Sequence, residues 1–217
     1  MHTFDTTAPI TAVLDIPAGS IRFTAGDHAE TTVEVLPADA SKGRDVTAAE
    51  QTTVSYENGT LRIKGREAYG NPGSIAVTVQ VPAGSGVQGK AAAADFRGSG
   101  RLGDVVFETA QGPIGIDEAA SARLSVAAGD VTVGRLTGAA EISVAHGDIR
   151  ITEAVRGAVV LRTQAGAISI GAAPGVSAAL NAGTSYGRVD NRLKNDGSAE
   201  LDIHATTQYG DIVAHSL

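Results

Sequence analysis

The chain has 217 residues, 24 acidic against 17 basic side chains, and a formal net charge of -7. It has the length of one repeat domain and the wrong sign for following a nucleic-acid backbone or an anionic membrane surface. Cys and Trp are both missing while Gly accounts for 27 residues, so disulfides, thiolate metal sites and Cys nucleophiles are excluded, and a thin β-core is favoured over a globular α/β enzyme.

From Met1 to Ile16 there is no basic n-region ahead of an apolar run. Neither a signal peptide nor a membrane span is expected, and cytoplasmic residence is the default reading. Ala12 to Phe23 alternates apolar and polar residues around Ile16-Pro17-Ala18-Gly19, and Thr32 to Leu36 reads as a strand. Residues 38–50 read as a polar loop or short helix. Thr53 to Gly65 is a hairpin around Asn58-Gly59, the pair that type I′ turns prefer, and Gly70-Asn71-Pro72-Gly73 reads as a turn. Ser74 to Val87 repeats the first pattern with Val81-Pro82-Ala83-Gly84.

From there the pattern becomes regular. Corner glycines at Gly112, Gly129, Gly147, Gly166, Gly187 and Gly210 recur every 17 to 23 residues. Five residues before the corner stand Phe107, Leu124, Ile142, Leu161, Ala182 and Ala205. Two after it stand Ile114, Val131, Ile149, Ile168, Val189 and Ile212; four after it, Ile116, Val133, Ile151, Ile170, Asn191 and Ala214. Two short strands per copy with a parity change at a Gly describe a coil of stacked rungs. The expected fold is all-β: a parallel β-solenoid of about seven rungs, right-handed by the crossover rule. Residues 1–217 form one domain in this reading, with an irregular antiparallel cap over 1–86 and regular rungs over 87–217.

The Ile-Pro-Ala-Gly and Val-Pro-Ala-Gly turns and the Gly-Asp-Val/Ile corners resemble the DUF4097 family, also called the β-strand-repeat or candidate-adhesin family. Phe4-Asp5-Thr6, Thr47 to Gln51, Tyr186-Gly187-Arg188-Val189 and Tyr209-Gly210-Asp211-Ile212 are similar to its actinobacterial branch. The resemblance implies a parallel β-solenoid and supplies no catalytic residues.

The residues themselves give little chemistry. Asp130, Asp148 and Asp211 follow corner glycines and suit turn stabilisation better than a calcium row, which needs an acid at every short repeat. Glu108, Asp117, Glu118, Glu141 and Glu153 do not align as the paired carboxylates of a glycosidase. His2, His28, His146, His204 and His215 lack metal-ligand spacing. No enzyme, cofactor or metal is expected. Tyr186 and Tyr209 hold equivalent corners and can stack. The last copy, Leu201 to Ala214, reads as an uncovered end rung whose free backbone groups, with Ile212 and Val213, would bind a second copy or another protein. The alternative is a β-helix that binds or cleaves carbohydrate.

Overall fold

The computed structural model describes residues 1–65 and 73–217, nearly all in strands; the expected turn at Gly70-Asn71-Pro72 lies outside the described residues. Contacts divide the chain into two units, Met1–Gly112 and Pro113–Leu217. The first holds β1 (His2–Asp5), β2 (Thr11–Gly26), β3 (Glu30–Pro37), α1 (Gly43–Glu50), β4 (Thr53–Glu57), β5 (Thr60–Lys64), β6 (Ile75–Pro82) and β7 (Gly86–Gln111).

β2 organises this unit. Its buried residues are Ala12, Leu14 and Ile16 before Gly19, then Ile21, Phe23 and Ala25 after it, so the strand changes face at the corner while its pairing continues. On one side it runs parallel to β5 and then to β6; on the other it runs parallel to β7 from Thr11↔Gly86 to Ala25↔Gly100. Among the described residues, antiparallel pairing is confined to β1–β3, β3–β6 and the β4–β5 hairpin. Parallel solenoid pairing therefore begins within the first strands of the chain, inside the segment read as a cap. The hairpin turn has positive φ at both Asn58 (49°) and Gly59 (76°), the I′ geometry that the Asn-Gly pair supports.

Residues 43–50 take the helical option. A turn precedes the helix, in which the Ser41 hydroxyl and amide both donate to Asp39 Oδ1 at 2.6 and 3.0 Å. Those bonds, with Lys42 alongside, hold the Asp39 carboxyl down to about 2. Asp45 in the first helical turn is buried and accepts the Ser74 N–H at 3.0 Å, which ties α1 to the start of β6. The core is aromatic: Phe96 lies between Phe23 and Phe107, with ring centroids 5.9 and 4.7 Å apart.

The second unit has an aliphatic core. It comprises β8 (Ile114–Ala128), β9 (Val131–Leu136), β10 (Ala140–His146), β11 (Ile149–Ala154), β12 (Gly157–Ala165), β13 (Ile168–Ala172), β14 (Ala178–Tyr186), β15 (Val189–Arg192), β16 (Leu201–Tyr209) and β17 (Ile212–Ser216). All its pairings are parallel. The longer strands stack in the order β8–β10–β12–β16–β14. The shorter ones stack as β8–β9–β11–β13–β17–β15, with the first part of β8 leading. Leu124, Ile142, Leu161 and Ala205 fill one inward column, and Val131, Ile149, Ile168 and Ile212 another, all essentially without solvent contact. Each buried Val, Leu or Ile among them contributes about 1.5–3 kcal/mol of transfer free energy.

Candidate functional site: the outer rung

The stacking order departs from the order of the chain. After β12 and β13 the chain makes β14 and β15, crosses back through residues 193–200, and inserts β16 and β17 between the two preceding rungs. The expectation of an uncovered final rung is therefore corrected. Ile212 lies between Ile168 and Val189, Val213 between Ser169 and Asp190. Ile212 is fully buried and Val213 half-buried. Among the described residues the free edges of this unit belong to β14 and β15 instead, each of which pairs on one side only.

Side-chain chemistry explains the insertion. The inward columns of the inserted rung carry Leu201, Ile203, Ala205, Ile212 and Ala214, while the outer rung places Ala178, Leu180, Ala182, Val189 and Asn191 in the equivalent columns. Burying the more apolar rung on both sides, and leaving Asn191 at the end where water reaches it, avoids desolvating an amide without a partner.

The corners add two ladders of polar bonds. Thr163 Oγ1 donates to the Gly147 carbonyl at 3.1 Å, Thr207 Oγ1 to that of Gly166 at 3.0 Å, and Thr184 Oγ1 to that of Gly210 at 3.0 Å. In the other ladder a corner carboxylate accepts an N–H from the neighbouring rung. Asp130 Oδ1 takes that of Asp148 at 2.9 Å, Asp148 Oδ1 that of Ala167 at 2.7 Å, and Asp211 Oδ1 that of Arg188 at 2.8 Å. Ala167 and Arg188 offer no carboxylate at this position. Only with β16 and β17 inside does Asp211 reach the Arg188 amide. The corner acids were expected to stabilise their own turns; the bonds the structure gives them tie each corner to the next rung. The glycines are required by contact: a Cβ on Gly210 would overlap the Gly166 carbonyl oxygen, and φ there is 145°.

Tyr186 and Tyr209 are brought together as the sequence suggested. Their rings stack 5.0 Å apart at an interplanar angle of 4°, and they are 68% and 57% exposed. Beside them Val189 is 45% exposed, open at the end of its column. Asp190 and Arg192 form an ion pair on β15, and the hydrogen bond to Asp190 followed by its charge raises the Arg192 pKa above its ordinary value. In the crossing loop the Ser177 hydroxyl and then the Ser198 amide hold the Asp196 carboxyl below its usual range.

Charged side chains on the flanks neutralise one another. Glu141 lies between Arg123 and Arg162, 3.5 Å from each, and Glu153 is 3.7 Å from Arg135. No group of three His, Asp or Glu among the described residues has a metal-binding arrangement. The outer rung itself was missed by sequence reading; its signal was Asn191, the one amide in a column of Ile, Val and Ala.

A parallel β-coil with glycine corners, threonine and aspartate ladders and an inserted final rung defines the class of protein. The chain belongs to the DUF4097 family: the Toastrack DUF4097 model matches residues 13–216. A crystal structure from Bacteroides fragilis, described as a candidate adhesin, superposes with a TM-score of 0.63 at 15% identity, covering 98% of this chain and 95% of that one. A second candidate adhesin, from Parabacteroides distasonis, covers 98% of this chain and 95% of its own at 14% identity, with a TM-score of 0.47. The comparison with curated proteins gave no match.

Proposed function

We propose that this protein is a non-enzymatic interaction module that engages its partner through the free edge of β14 and β15. One observation carries this reading. β14 is a nine-residue edge, AALNAGTSY, with no charged residue and no Pro. Natural sheets blunt their free edges with Lys, Pro, bulges or shortness. The antiparallel edges of the first unit follow that rule, since β1 has four residues ending in Asp5 and β4 has five ending in Glu57. Apart from Ala178, whose N–H donates to the Lys194 carbonyl of the crossing loop at 3.0 Å, β14 has none of these devices, and unpaired N–H and C=O groups along such an edge recruit an additional strand.

Gly183 provides the test. It faces solvent, and a Cβ built there meets nothing within 4 Å. Gly183→Lys therefore installs an edge charge without disturbing the fold. Immobilised wild-type chain should retain a partner that the variant loses, with the partner identified by mass spectrometry. Equal retention by both would remove the edge from the binding surface.

A further inference from the structure

We infer that the occupant of this edge is a second copy of the chain, paired antiparallel about a two-fold axis that passes through Ala182 of β14 and Asn191 of β15. The inference rests on the proposed function and names its partner. The argument is self-complementarity.

A two-fold axis brings each edge against itself with the direction reversed, so both strands pair in antiparallel fashion and the assembly closes as a dimer. Ala182 is the middle residue of β14, so an axis there sets the strand against itself, from Ala178 opposite the other copy's Tyr186 through Ala182 opposite itself, with the Ala178 N–H already donated to the Lys194 carbonyl of its own chain at 3.0 Å. The same axis must cross β15 at a matching distance from the corner. Ala182, five residues before Gly187, and Asn191, four after it, both stand in inward columns of the repeat, and of the inward positions on β15 it is Asn191 that brings opposite charges together. An axis at Asn191 then sets Asp190 opposite the other copy's Arg192, and Arg192 opposite its Asp190. Val189 falls opposite Leu193, joining the side chain that is 45% exposed to a half-buried apolar one. The register therefore gives each half of the existing Asp190–Arg192 pair a second, opposite charge in the other copy and covers the open apolar column. The one polar residue of that column, Asn191, faces its own copy on the axis. Cross-strand pairs of these kinds are the units that stabilise antiparallel sheets.

Charge exchange tests the register. Sedimentation equilibrium or light scattering over a hundredfold concentration range should give the wild-type chain twice the 21.9 kDa chain mass. Asp190→Arg and Arg192→Asp each create two like-charged pairs and should weaken association about tenfold or more. The double variant D190R/R192D should restore it. Mixing the two single variants should yield heterodimers at concentrations where neither dimerises alone, which also shows that both are folded. Gly183→Lys should give monomers.

A wild-type chain that stays at 21.9 kDa throughout would overturn the proposal. So would a dimer indifferent to all of these substitutions. In the monomer case a heterologous partner lost on Gly183→Lys would leave the proposed function standing, and loss of both results would end it.

Discussion

The rung made by β16 and β17 and the rung made by β14 and β15 are two copies of one template in opposite surroundings. The first has a strand on both sides of each of its strands and buries Leu201, Ile203, Ala205, Ile212 and Ala214. The second has one neighbour per strand, and Val189, Asn191 and the corner Tyr186 meet solvent. Position along the chain does not decide which copy becomes the end. Apolar content and one carboxylate–amide bond do, and what remains outside is the copy that can tolerate water.

That contrast can be broken in order of expected size. Truncating the core of the inserted rung should do most: Ile212→Ala is expected to cost about 3 kcal/mol in urea denaturation. Val189→Ala, in the equivalent column of the outer rung, should cost under about 1 kcal/mol because part of its surface is already wet. Equal losses would refute the difference in burial. Glycines provide the next comparison. Gly210→Ala forces a Cβ into the Gly166 carbonyl and should cost more than about 2 kcal/mol, whereas Gly183→Ala should be neutral or stabilise by about 0.5 kcal/mol through the unfolded chain.

Smaller still is the bond that favours the inserted order. Asp211→Ala should cost about 1 kcal/mol, read as faster hydrogen exchange at the Arg188 amide with the amides of β10 and β12 unchanged. The smallest effect is on the crossing loop. The Asp196 carboxyl has a depressed pKa in the folded chain, so its contribution is complete above the ordinary carboxylate range and is lost as pH falls through that range to the folded value. Loop amides at residues 196–198 should exchange faster on acidification, and Asp196→Ala should remove that dependence.

Much of this was legible in the residues. Period-two alternation, corner glycines and the Asn58-Gly59 turn are local signals, and each local signal led to the element that forms. The inward columns read from the sequence are the columns of the core except in the outer rung, where Val189 and Asn191 are exposed. What escaped was the order in which equivalent rungs stack. Rungs built on one template offer nearly interchangeable edges, so pattern alone cannot choose a neighbour. Asn191 in an otherwise aliphatic column, and the missing carboxylates at Ala167 and Arg188, were the marks of the choice, and they gain meaning only when rung compositions are compared. Likewise the parallel pairing of β2 with β5, β6 and β7 joins residues up to about 75 apart in sequence, beyond the reach of local pattern.

The inserted rung also sets a clock on folding. Until residues 201–216 exist, the segment 178–192 has only β12 and β13 as a matching template, and Thr184 and Gly187 suit the place that Thr207 and Gly210 finally take. A nascent or truncated chain should therefore dock the wrong neighbour first, and that pairing must open before the last strands enter. Refolding of the full chain should show a slow phase that vanishes when refolding starts from a chain ending at Arg192; a single phase of equal rate in both would show that the segment waits undocked. The same sequence that fills the core last would then govern how quickly a usable surface appears.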